Sequence, residues 1–186
     1  FVNNAGVAGG GDFARLSDED WSWLLDINLM GVVRGARAAL PVFRRQRSGH
    51  IVNIASMAGL LAPPGMSSYN VAKTGVVALS ETLHGELAPD GIRVTCVCPS
   101  FFRTNLLESL RTPDDGMRRS FARLLDTSDI SAADIAAQVC RDVQAGVFLC
   151  LPHARGRRAW WAKRAFYGRY LAGLVQIGTS LARRRG

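Results

Sequence analysis

The sequence predicts an α/β fold, a parallel β-sheet with helices on both faces. Three observations carry this. Short β-rich runs at 50–55, 92–98 and 147–151 alternate with longer stretches of helical periodicity. Clusters of Gly, Pro and Asp separate them. Strands alternating with helices imply parallel neighbours covered on both sides.

Taken in order, Phe1-Val2-Asn3-Asn4 reads as the end of a strand, stopped by Ala5-Gly6. Ser17 before Asp18, Glu19 and Asp20 is a helix start, a hydroxyl cap with acids in the first turn. That helix runs to about Arg47, with Trp21, Leu24, Val32, Ala36, Leu40 and Phe43 on one stripe, and Ser48-Gly49 breaks it. A strand follows at 50–55, then a turn at Pro63-Pro64-Gly65 and a helix from about Ser68 to Leu87. Pro89-Asp90-Gly91 turns into a strand at 92–98, ended by Pro99. Residues 104–125 read as helix interrupted at 112–116. Ser131 caps a helix to about Gln144, and 147–151 is the last strand.

The chain has 186 residues, 48% hydrophobic and 20% charged, enough for a sizeable core and too apolar for disorder. No run of 18 apolar residues occurs, so no membrane-spanning helix is expected. Opening on Phe1 in strand-like sequence, with no secretory leader to read, it resembles a piece of something longer. The net charge of +8 is uneven: 151–186 holds nine bases and no acid, leaving 14 bases against 15 acids before it. Cys96 and Cys98 alternate along a strand and read as core residues sharing a face. His50, His84 and His153 lack metal-ligand spacing, so no metal site is expected.

Tyr69-x-x-x-Lys73 stands at a helix start, and the spacing puts both side chains on one face. A nearby ammonium favours the phenolate, moving the phenol toward the range where a general acid or base works. The plain alternative is a buried Tyr beside a surface Lys. Against it, the chain has 23 bases of which only Lys73 and Lys163 are lysines, so a lysine here is a choice. Ser56 ends a strand 13 residues before Tyr69, where a hydroxyl points into the crevice that binds ligands; alone, it reads more simply as a turn serine. Asn28 interrupts an apolar stripe and must find partners. It is either a structural link to the backbone or an anchor for a water reaching Lys73. Asn3-Asn4-Ala5-Gly6 is small enough for close ligand approach, and Pro99 to Thr104 leaves the third strand with Thr104 as a possible helix cap.

Together these segments, over roughly 1–151, resemble the short-chain dehydrogenase/reductase family. The resemblance rests on Asn3 to Gly6, Asn28, Ser56, Tyr69-x-x-x-Lys73 and Pro99 to Thr104, in the family's order and spacing. It implies a Rossmann-like domain over 1–151 and reversible hydride transfer between NAD or NADP and an alcohol/ketone pair. By that resemblance Tyr69 is the proton donor or acceptor, and Lys73 lowers its pKa and binds the nicotinamide ribose. Ser56 polarises the carbonyl, and Asn28 holds a relay water. Asn4, Ala5, Gly6, Pro99 and Thr104 line the cofactor. Ser100 stands where the family commonly has Gly.

Neither glycine-rich cofactor turn of the family fits Gly6, Gly9, Gly10 and Gly11, or Gly31 and Gly35. The expectation is therefore a fold whose amino-terminal βαβ part is missing, which leaves NAD versus NADP open. The alternative is a fragment or interaction module that cannot bind the cofactor. Phe101, Phe102, Leu106, Leu107, Leu110, Phe121, Leu124 and Leu125 either pack on the sheet or line an apolar substrate pocket.

A basic extension over 152–186 completes the chain. Phe166, Tyr170, Leu174, Ile177 and Leu181 repeat at helical spacing beside Trp160, Trp161 and many bases. This suits either an anionic membrane surface or a subunit partner, and with no recognised motif nucleic acid is not an expected partner. The expected picture is a cytoplasmic, homo-oligomeric enzyme of a small lipophilic substrate, with peripheral membrane contact through the tail.

Overall fold

A computed structural model describes residues 1–183. Four parallel strands lie in the order β1-β2-β3-β4: Val2–Asn3, Gly49–Ile54, Ile92–Val97 and Leu149–Cys150. The parallel sheet with helices on both faces is as expected, but the outer strands are only two residues long. The central pair keeps full register from Gly49 opposite Ile92 to Ile54 opposite Val97.

The first long helix is three consecutive pieces: α1 (Asp18–Leu25), a π-helical turn at Asp26–Met30, and α2 (Gly31–Gln46). The Ser17 hydroxyl accepts from the Asp20 amide, and the Asp20 carboxylate accepts back from Ser17, closing a capping box. A short helix α3 (Met57–Leu61) leaves β2, and α4 (Ser67–Leu87) follows. Then come α5 (Asp115–Asp126) and α6 (Ala132–Gln144), the latter capped by Ser131. The stretch expected to be helical from 104 holds only one 3-10 turn, Asn105–Leu107, before α5.

Alternation along the strands sorts the core into two layers. Ile51, Ile92 and Val94 pack with Ala36 of α2 and with Leu83 and Leu87 of α4. On the opposite face, Val52, Val97 and Cys150 meet Val139 and Val143 of α6. Cys96 and Cys98 share the α4 side, their sulfurs 3.9 Å apart, as expected of core residues. A buried polar ladder fastens the layers: Asn3 donates to Asn53 at 2.8 Å, and Asn53 donates to Ser80 of α4 at 2.9 Å.

The tail forms two helices, α7 (Ala154–Ala165) and α8 (Tyr167–Arg183); residues 184–186 of the extension lie outside the described residues. Phe166 falls at the break between them. Gly156 is buried against Met57, where a Cβ would sit 3.0 Å from its side chain. Lys163 donates to the Leu60 carbonyl at 2.5 Å, and the Tyr170 hydroxyl donates to the Leu61 carbonyl. Both are carbonyls at the end of α3, so the tail caps a helix of the body. One face of the tail is therefore held against the body through Tyr170, while Phe166 and Ile177 of the expected stripe remain 58% and 48% exposed.

Candidate active site

The strand ends at Asn4, Ala55 and Pro99 open onto one cleft of about 370 Å³. Asn4, Gly6, Asn28, Ser56, Tyr69, Lys73, Pro99 and Thr104 all line it. Residues from five separated segments thus converge, as ligand sites do at the carboxyl edge of an open α/β sheet. Ala5 is the exception among the expected residues: it is exposed and lies outside the lining, between two neighbours that face the cleft.

Each side chain is held by local structure. Ser56 is the cap of α3, its hydroxyl accepting from the Ala58 amide at 3.1 Å, with the Pro99 carbonyl 3.5 Å away. Tyr69 and Lys73 sit in the first two turns of α4 on its buried face, 7% and 4% exposed. A lysine so deeply buried is rare and needs a partner. Its ammonium donates to the Ile54 carbonyl at 2.8 Å and lies 5.8 Å from the centre of the Tyr69 ring. Gly59 lets α3 meet α4: a Cβ there would fall 2.6 Å from the Lys73 backbone. The serine and the tyrosine are near one another because that position has no side chain.

Asn28 lies fully buried in the π turn. Its amide nitrogen donates to the Val7 carbonyl at 2.9 Å, and its carbonyl oxygen accepts from the Val7 amide at 3.1 Å. This is the structural link to the backbone, and it fixes the chain leaving β1. A Cβ on Gly6 would approach the Asn28 oxygen to 2.9 Å and the Lys73 nitrogen to 3.6 Å, so only glycine leaves these two groups their shared corner. Thr104 caps the 3-10 turn, accepting from the Leu106 amide at 3.2 Å.

Burial sets the proton affinities. It pushes the Tyr69 phenol up to about 12, against a smaller downward pull from the Ser56 hydroxyl. Burial also lowers the Lys73 ammonium to about 8, with Cys98 and then Cys96 pulling it back. The expectation that Lys73 depresses the phenol pKa is thus corrected for the chain by itself: desolvation of the phenolate outweighs an ammonium 5.8 Å from the ring centre.

A second cleft of about 340 Å³ adjoins the first and shares Ser56, Tyr69, Ser100, Phe102, Thr104 and Leu106 with it. Of the residues for which packing or pocket lining stood open, Phe101, Phe121 and Leu125 line it, Leu107 and Leu110 pack in the core cluster that also holds Phe121 and Leu125, and Leu124 is exposed. Among the described residues its lining holds no Asp, Glu, Lys, Arg or His. Tyr170, Leu174 and Ile177 of α8 also face it, a role hidden in the sequence by their distance from the motifs. Ser109 was missed too: its hydroxyl accepts from the Ala8 amide at 3.2 Å at the rim of the first cleft.

The family model for short chain dehydrogenase matches residues 1–115. A 3-oxoacyl-[acyl-carrier-protein] reductase from Synechocystis is 39% identical over 109 residues, 59% of this chain and 44% of that protein. A short-chain dehydrogenase from Burkholderia phymatum, solved with NAD, superposes with a TM-score of 0.82 at 31% identity, covering 88% of this chain and 64% of that one. One from Sphingobium yanoikuyae, solved with NADPH, gives 0.71 at 26% identity, over 92% and 63%. The chain spans about half the length of the curated relatives it matches.

Proposed function

The chain belongs to the short-chain dehydrogenase family, and from that premise we propose that its protein is an NAD(P)-dependent oxidoreductase interconverting an uncharged, apolar ketone or aldehyde and its alcohol. The observation carrying this is the junction of the two clefts at Ser56 and Tyr69. One side offers an ammonium, hydroxyls and a glycine-lined approach. The other offers walls that are apolar and uncharged among the described residues.

The residues present fit the nicotinamide end of such a cofactor. Gly6 leaves the corner by Asn28 and Lys73 open, and Thr104 and the Pro99 loop close the opposite side. When bound, the cofactor supplies or accepts the hydride. The chain's own part is the proton. A phenol raised to about 12 stays protonated at neutral pH, ready to donate to an oxygen gaining charge. The Ser56 hydroxyl can donate to that same oxygen. Lys73 keeps donors beyond the one used on Ile54, available to a ribose hydroxyl or to a relay water beside Asn28. The whole protein is proposed to be a cytoplasmic homo-oligomer.

A second reading, that these 186 residues alone cannot bind the cofactor, is favoured by β1. It is an edge strand of two residues with Phe1 and Val2 52% and 55% exposed, and no glycine-rich turn accompanies it. Calorimetric titration of NADH and NADPH separates the two readings. Binding is expected to be weak for this chain and tight for one extended at its amino end. Tight binding by the 186 residues rejects the second reading, and no binding by the extended chain rejects the first.

A further inference from the structure

The tail carries a second apolar stripe. Tyr167, Leu171 and Val175 recur every four residues along α8 and are 57%, 43% and 69% exposed. Trp161 of α7 and Phe166, at the break before α8, are each 58% exposed. Arg155, Arg157, Arg158, Arg164, Arg169 and Arg183 of the tail are also exposed, and 151–186 contains no acid. Arg169 lies 5.7 Å from the Phe166 ring centre, and Arg164 lies 5.2 Å from that of Trp160. No helix among the described residues is long and apolar enough to cross a membrane.

A second copy of the chain is a poor occupant. A two-fold contact sets each patch against itself, bringing bases onto bases. An anionic lipid surface offers what the patch lacks, negative charge above a layer that accepts apolar and aromatic side chains. We propose that this outer face of the tail docks on an anionic bilayer, with α8 lying along the interface and its inner face kept against the body. The tail's exposed arginines reach headgroups while Tyr167, Leu171 and Val175 enter the acyl boundary. Ile177 lines the apolar cleft and is itself 48% exposed, so the cleft wall reaches the surface along α8. An apolar substrate would pass from bilayer to cleft along it. That passage rests on the proposed function; docking itself does not.

Flotation with phosphatidylcholine vesicles, with and without phosphatidylglycerol, tests the docking. The chain is expected to float only with the anionic vesicles. Leu171→Asp with Val175→Asp, both at exposed positions, is expected to weaken binding at least about tenfold while the circular dichroism stays native. Equal binding to neutral vesicles, no binding to anionic ones, or binding untouched by the double variant overturns the proposal. So does a concentration-dependent dimer that the double variant abolishes, since the face then belongs to a second copy. Tyr69→Phe is expected to float normally while losing turnover; turnover retained in that variant with docking intact would count against the enzymatic reading alone.

Discussion

Replacing Tyr69 by Phe, in a protein extended at its amino end, is expected to lower turnover by about 10²–10⁴-fold, the usual worth of a positioned acid or base. The change removes one oxygen and no packing. Tyr69 is 7% exposed within a cluster of Leu24, Ala58 and Ala72, so Phe fills the same space. Cofactor binding and thermal stability should stay close to those of the parent. Rates within a few-fold of the parent would remove Tyr69 from the chemistry, whatever its position in the cleft.

Lys73→Met is expected to abolish turnover to a similar degree and also to change how stability depends on pH. In the fold the ammonium titrates at about 8, below the ordinary lysine value of 10.5, because burial penalises its charge. The unfolded chain therefore holds that proton more tightly than the folded one, and stability rises with pH between those values. From pH 8 to 10 the rise is on the order of 2 kcal/mol. Above pH 10 the buried Tyr69 phenol, raised to about 12, pulls the other way, because the unfolded phenol then loses its proton first. Urea unfolding at pH 8, 9 and 10 reads this directly. The parent should gain stability across the series and Lys73→Met should not. Equal slopes would show that Lys73 is not the buried cation of lowered proton affinity described above. Lys73→Arg is not expected to restore turnover, because a guanidinium is larger and does not release its proton.

What the sequence reveals of this site follows from how local each signal is. Tyr69 and Lys73 share a helix face by spacing alone, and the caps at Ser17 and Ser131 form where hydroxyls precede acids. Ser56 could be placed because a strand end and a following turn are visible around it. The π turn at Asn28 was not visible, since no residue type announces it; it exists because the amide must reach Val7 across the fold. The inward stripe of the tail was visible as a stripe, but not its partner. Tyr170 bonds a carbonyl 109 residues away, and periodicity shows that a face is apolar without showing what covers it. Ala5 was carried by a motif, and the chain turns it outward. The raised phenol pKa was hidden for the same reason: the i, i+4 spacing shows a lysine near, while the depth of burial is a property of the packed core.

The most direct measurement of the central claim follows the hydride. The amino-extended protein is incubated with reduced cofactor carrying deuterium at the nicotinamide C4 position and with an uncharged apolar ketone, and the alcohol is examined by mass spectrometry. The expected result is one deuterium on the carbinol carbon, lost in step with turnover in Tyr69→Phe. An alcohol formed without deuterium on that carbon, with cofactor labelled on either face, would contradict the account.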